Sequence, residues 1–516
     1  MSRKFDLPAL LFFSALIFGA IVRFYPVFTS GFPLNDGGMF YTMTQDLKAN
    51  NFSLPDSTTY NHADIPFAYP PLGFYVAALL STLVPGSDLI IFRFLPAFIN
   101  SLSIPAFYLF AKEFLGSRPL ASAATLIYAL LPHSFVWQVM GGGVTRSFGM
   151  LFLLLMLRQA TLLFKKYELK HLLFAMLFGA GAVVSHPQTA LHAALGGGLL
   201  FFFYGRNKRG LISAMLFALG VALLSAPWWG TVLTRHGLEP FLSAGGTSPR
   251  SVDAYISLIR FESLEDYLAF PVVLLALVGV FFSKYRTIDK GFLATWAWLA
   301  LVIDPRGAEG IALLAFTLLA GLGWIRLSAW LSHMDGNQTE AVMMKRSSLA
   351  LLLGLFVFLL LGASIFDFQL VNTSLKAADL ELIEWTQVNL PEGKTFALAT
   401  GIEFSMSDPL QEWFPALTRQ KSLTTMQGLE WTLGEKFFPW YDELIAFQHC
   451  EDAACVENWR TSNQVDYDYL IVLKPKDTEK SVLKNLGKSL RGAKGFALVH
   501  ETEDAMIFEI KKRQSP

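Results

Sequence analysis

The chain has 516 residues, 53% of them hydrophobic and 16% charged, with 46 Phe, 12 Trp and a formal net charge of zero. Soluble globular chains carry about 45–50% apolar and about 25% charged residues, so an ordinary soluble protein is excluded. The balanced charge offers no basic field for nucleic acid, and two cysteines are too few for a disulfide framework.

In chain order, the first apolar stretch runs from about Leu7 to Val27 behind Ser2-Arg3-Lys4. It lacks a small-residue cleavage site and predicts an uncleaved anchor. Further stretches centre on 90–111, 120–139, 147–164, 170–186, 188–204, 211–229, 269–283, 292–303, 309–330 and 348–367. A crossing needs about 20 mostly apolar residues, so window counting gives about eleven spans. Leu72–Leu83 is apolar but short, and Pro70-Pro71 opens it. The segment 72–86 therefore reads as a helix lying at the interface.

Basic residues gather at Arg3-Lys4, Arg118, Lys165-Lys166, Arg206, Lys208-Arg209, Lys284, Arg286 and Lys345-Arg346. With 72–86 interfacial, all fall on one side, which the positive-inside rule assigns to the cytoplasm. The expectation is a plasma-membrane, multi-pass protein with a cytoplasmic N-terminus. Residues 1–370 then form the transmembrane domain, and the first loop, 28–71, lies outside with the C-terminal segment 371–516. That segment turns polar and reads as α/β. It has a helix at Asp379–Val388, strands at Thr395–Ala399 and Tyr469–Leu473, and a pair at Ala497–Val499 and Ala505–Ile510.

Polar residues collect at the outer ends of the spans, where insertion alone does not demand them. Asp36 stands in Asn35-Asp36-Gly37-Gly38, a turn before a helix predicted over Met39–Leu47. A carboxylate on a tight turn beside a cavity suits a general base; an Asp before a helix equally suits an N-cap. His62 and Asp64 precede Tyr69-Pro70-Pro71-Leu72, an extended elbow whose tyrosine sits at headgroup level or lines a pocket. Arg146, after Gly141-Gly142-Gly143, and Arg306, in Asp304-Pro305-Arg306, offer planar, permanently charged forks for a phosphate. Glu309 and Asp304 are the salt-bridge alternative for Arg306, and an interface anchor is the alternative for Arg146. His186, in Ser185-His186-Pro187-Gln188, faces the cavity or satisfies a carbonyl freed at the helix break. No cluster has metal-ligand spacing, so no metal is assigned, although help from a divalent cation stays open. Cys450 and Cys455 favour a small disulfide loop.

These pieces together resemble the GT-C superfamily of membrane glycosyltransferases, nearest to its protein O-mannosyltransferase and lipid A aminoarabinose transferase branch. The matching residues are Asp36, Tyr69-Pro70-Pro71-Leu72, Arg93 in Ile90-Ile91-Phe92-Arg93-Phe94-Leu95-Pro96, Ala226-Pro227-Trp228-Trp229, and Arg306 followed by Leu318-Leu319-Ala320-Gly321. The resemblance covers about residues 1–330. It implies inverting transfer of a sugar from a polyprenyl-phosphate donor to a protein, lipid or glycan acceptor at the outer face. Asp36 would be the base, Arg306 and Arg146 the phosphate ligands, and His62, Asp64, Tyr69, His186 and Glu309 the pocket. The mannosyltransferases carry an adjacent Asp-Glu pair, whereas Asn35-Asp36-Gly37 holds one acid; Asp64 is the candidate for the second. The rival readings are a transporter or flippase of a lipid-linked or small polar substrate, and a non-catalytic membrane-anchored binding protein. Transporters favour repeats and polar residues near the midplane. This chain shows no repeat, and its polar residues sit at the outer ends.

Overall fold

The computed structural model describes residues 6–247, 264–305, 309–334, 339–474 and 481–511. Among them, six helices are long and apolar enough to cross a membrane: Leu7–Thr29, Asp88–Leu115, Gly143–Lys166, Lys208–His236, Gly310–Leu331 and Arg346–Val371. Arg118–Leu130 with Pro132–Val139 makes a seventh if that bent pair is one span. The other predicted spans fall on helices that are shorter or less apolar: Leu169–Val183, Pro187–Tyr204, Leu264–Phe282 and Thr287–Ile303. Each predicted span thus meets a helix, but helices meeting the crossing criterion number six to seven rather than eleven.

The helices begin where local chemistry lets them. Asp6 accepts from the Ala9 amide at the start of α1 (Leu7–Thr29), satisfying one of the donors that a helix N-terminus leaves open. Then come α2 (Gly38–Ala49), α3 (Leu72–Leu83), α4 (Asp88–Leu115) and α5 (Arg118–Leu130). The stretch predicted as one span over 120–139 is bent by 90°. Pro132 has no amide to continue the ladder and disfavours the helical conformation at Leu131, which lies in the extended region.

Apolar side chains left in the open mark the lipid face. Leu211, Met215, Leu219 and Leu223, spaced four apart on Lys208–His236, are all exposed. Inside the bundle the Arg23 guanidinium is fully buried. Arg23 of α1 donates to Asn100 Oδ1 (2.5 Å), the Gly19 and Ala129 carbonyls (2.9 and 2.7 Å) and Ser134 Oγ (3.1 Å). It therefore knits α1, α4 and the bent pair together. At the opposite end of the bundle from the Asp36 loop, Arg118 pairs with Asp6 at 2.8 Å and Lys165 donates to the Glu113 carbonyl. Arg158, within Gly143–Lys166, lies 3.8 Å from Glu113.

Beyond Val371 the chain folds into a three-layer α/β unit. Its five-stranded sheet has the order β2-β1-β3-β5-β4, from β1 (Thr395–Ala399), β2 (Lys421–Ser422), β3 (Tyr469–Leu473), β4 (Phe496–Glu501) and β5 (Ala505–Ile510). β1 pairs in parallel with β2 and β3, and β5 runs antiparallel to β3 and β4. Side-chain alternation splits the two cores. Phe396, Leu398 and Ile471 face the layer of Ala377–Asn389 and Pro409–Thr418, while Ala397, Leu470 and Val472 face the helices that carry Phe447, Trp459 and Leu486. Cys450 and Cys455 form a disulfide.

The first loop is clamped between the two parts. Leu34 bridges to Ser374, the Asn35 amide donates to the Thr373 carbonyl at 3.1 Å, and the Gly141 amide donates to the Leu34 carbonyl at 2.8 Å. From the sheet domain, Trp413 Nε1 donates to the Asn35 carbonyl at 2.8 Å. This is where Asp36 and Arg146 meet.

Candidate active site

Asp36 occupies the turn foreseen in the sequence. Asn35 (φ 47°) and Gly37 (φ 132°) flank it in left-handed conformations, which glycine, and to a lesser degree asparagine, adopt most readily. Its carboxylate does not cap the following helix. Arg146 closes on both oxygens, Nη1 to Oδ2 at 2.9 Å and Nη2 to Oδ1 at 3.0 Å, while the Gly142 amide donates to Oδ1 at 3.0 Å. A Cβ on Gly142 would stand 2.4 Å from Asp36 Oδ2 and 2.9 Å from Arg146 Nη2, so the ion pair requires glycine there.

Arg146 sits in the first turn of the helix Gly143–Lys166. Its Nε donates to the Trp137 carbonyl at 2.8 Å, and its guanidinium lies 5.7 Å from the centre of the Trp137 ring. Asp36 is buried, the Arg146 side chain is 17% exposed, and Trp137 is 45% exposed. Of the three, Trp137 is the most accessible to solvent.

The cap of α2 comes from the sheet domain. Glu412, buried on Pro409–Thr418, accepts from the Gly37 and Met39 amides through Oε1, each at 3.2 Å. Tyr60 donates its hydroxyl to the Glu412 carbonyl at 2.7 Å. Burial, and after it the neighbouring Asp36 carboxylate, push the Glu412 carboxyl up to about 8. The two acids lie 376 positions apart, and no local spacing reports their meeting.

Tyr69 and His186 join the same wall. The Tyr69 ring centre lies 6.1 Å from that of His186, 5.7 Å from Trp431 and 4.8 Å from Phe40, and its hydroxyl meets Thr145 Oγ1 at 3.5 Å. Burial holds the Tyr69 hydroxyl above its ordinary range. The elbow after Tyr69 docks on the broken pair of helices, with the Leu72 amide on the Val184 carbonyl at 2.9 Å. His186 Nδ1 is buried without a hydrogen bond among the described residues. Nearby, Gln188 Nε2 and His192 Nε2 both meet Asp304 Oδ2, at 2.6 and 3.1 Å. His192 was not singled out from sequence, although its place one turn beyond Gln188 put it on the same helix face.

Other expected pocket residues lie elsewhere. His62 Nε2 meets the Arg419 carbonyl at 2.8 Å, at the seam with the sheet domain, and Asp64 is exposed in a left-handed conformation. Neither contacts Asp36 or Arg146. Arg93 donates to the Val27 and Phe28 carbonyls at 2.7 and 3.2 Å, closing the end of α1. Arg306 and the Glu309 side chain lie outside the described residues. Among the described residues, no three His, Cys, Asp or Glu side chains gather as a metal-binding group.

Fold and site together define a polytopic membrane protein with a charged site at one end of its bundle, sealed by a sheet domain. The sequence matches no protein-family model and no curated protein. The structure is similar to ArnT from Cupriavidus metallidurans bound to undecaprenyl phosphate, with a TM-score of 0.58 and 14% identity over 97% of each chain. Its apo state gives 0.59 and 13%, again over 97% of each chain. Arabinofuranosyltransferase AftD from mycobacteria gives a TM-score of 0.54 and 12% identity, over 96% of this chain and 40% of that one. The chain therefore shares its fold with ArnT and AftD.

Proposed function

We propose that this protein is an integral-membrane glycosyltransferase that moves a sugar from a polyprenyl-phosphate donor to an acceptor at the outer face of the plasma membrane. The observation that carries this reading is the Asp36–Arg146 pair on its glycine-lined seat, set at the loop end of a GT-C fold. The ArnT structure bound to undecaprenyl phosphate supports the donor class. On the assigned topology the N-terminus is cytoplasmic, and the loop and sheet domain lie outside.

The chemistry follows from the two charges. The donor phosphate competes for the Arg146 fork, which binds phosphate as it binds carboxylate, bidentately. Asp36, released from Arg146, accepts the proton of the acceptor hydroxyl or amine. The acceptor heteroatom bonds to the anomeric carbon as the bond from that carbon to the phosphate oxygen breaks. The leaving polyprenyl phosphate keeps that electron pair, and its charge falls on Arg146 and Arg306. A single displacement inverts the anomeric centre. Tyr69 and His186 line the approach, and metal assistance forms no part of these steps.

Binding of undecaprenyl phosphate to the purified protein tests the donor half of this reading. Arg146→Ala is expected to weaken binding by about tenfold or more, the scale of one lost charge-assisted contact. A wild-type protein that does not bind the lipid would favour the binding-protein or transporter alternative.

A further inference from the structure

We propose that Glu412 is the second carboxylate of the site, a positioning residue supplied by the sheet domain that fixes the Asp36 turn through the Gly37 and Met39 amides. Both amides reach the same oxygen, Oε1, at 3.2 Å. They belong to the residue after Asp36 and to the first turn of α2, and their helix has no side-chain cap of its own. The other acids of the loop are engaged or exposed: the Asp36 oxygens are held by Arg146 and Gly142, Asp46 accepts from Thr58 and Thr59, and Asp56 and Asp64 are exposed.

Packing leaves the carboxyl no latitude. A Cβ on Gly38 would stand 2.3 Å from the Glu412 carbonyl oxygen, so α2 and the helix Pro409–Thr418 touch backbone to backbone. The next residue, Trp413, donates to the Asn35 carbonyl on the other side of Asp36. Residues 412 and 413 thus grip the turn from both flanks. Meanwhile Glu412 Oε2 is buried with no hydrogen bond among the described residues. An unmet buried polar group is destabilising, so stability alone does not account for an acid there. The sheet domain is on this account part of the active site: its docking sets where Asp36 points.

The inference rests on the proposed glycosyltransferase reading only for its kinetic arm. Hydrogen exchange of the full-length protein tests the positioning directly. Glu412→Ala, and Glu412→Asp, which keeps the carboxyl group but withdraws its oxygen from the two amides, are expected to speed exchange at Gly37 and Met39 by about tenfold or more. Glu412→Gln, which keeps an acceptor oxygen, is expected to stay within about twofold of wild type. Exchange in β1 reports whether the sheet domain remains folded. Should Glu412→Ala unfold it, Glu412→Asp and Glu412→Gln decide. Unchanged exchange in Glu412→Asp, or equal acceleration in Glu412→Gln, overturns the proposal. In the kinetic arm, Glu412→Asp lowers kcat for an undecaprenyl-phosphate sugar by about tenfold or more with little change in KM, and Glu412→Gln restores it. Equal loss in both variants also overturns the proposal. A wild type inert toward every donor counts against the glycosyltransferase reading, while the exchange arm still decides the role of Glu412.

Discussion

Arg146 grips both carboxylate oxygens of Asp36, at 2.9 and 3.0 Å, across 110 residues of sequence. Both carboxylate oxygens and both terminal guanidinium nitrogens are thus engaged with each other. The resting site is therefore closed on itself, and under the proposed function donor binding opens it.

The two halves of that pair are expected to fail differently. Asp36→Asn removes the base and should lower transfer by about a hundredfold or more, while binding undecaprenyl phosphate at least as tightly as wild type, because Arg146 is released. Arg146→Ala should lose both binding and transfer. Lipid binding measured on the two variants side by side checks this; weaker binding by Asp36→Asn would contradict the exchange of partners.

Gly142→Ala tests the seat of the pair. Its Cβ would lie 2.4 Å from Asp36 Oδ2, so the carboxylate must move. Overpacking of this kind costs about 1–3 kcal/mol, and transfer should fall further than stability does. Thermal unfolding in detergent, set beside transfer rate, separates the two effects.

Glu412 sets a pH dependence. Its carboxyl, ordinarily near 4.5, is raised to about 8. Between these values the unfolded chain binds fewer protons than the folded one, so stability falls as pH rises from about 4.5 to 8. The charged and titratable groups coupled to it are Asp36, Glu430, Tyr60 and Arg146. Glu412→Gln should flatten that slope in unfolding temperature against pH.

Arg23 carries the bundle where it cannot be seen from outside. Leaving a buried polar group without its partner costs about 1–3 kcal/mol. Arg23→Ala orphans Asn100 Oδ1 and the Ala129 carbonyl. A lowered unfolding temperature with the Asp36 site otherwise unaltered is expected, measured on detergent-purified protein with lipid binding as the control.

How much of this was legible depends on how local each cause is. α3 at Leu72–Leu83, β1 at Thr395–Ala399 and β3 at Tyr469–Leu473 lie where the sequence placed them, because apolar runs bounded by Pro, Gly and polar residues carry their own limits. The turn at Asp36 was legible for the same reason. Its choice between base and cap was not, since the answer lies in residues 142, 146 and 412. The bend at Pro132 was written in the chain but overridden by the apolar count across it. Arg23 was hidden by an otherwise apolar helix, and β2, two residues long, has no period to detect. His62 and Asp64 looked like pocket residues by sidedness alone. Sidedness puts residues on a face, and only packing brings them to a point.

The most direct test of the central claim is release of polyprenyl phosphate from a panel of polyprenyl-phosphate sugars by the purified full-length protein, with Asp36→Asn beside it. The account predicts acceptor-dependent release by wild type and about a hundredfold less or lower from the variant. Undiminished transfer by Asp36→Asn, or no release from any donor by wild type, would contradict it.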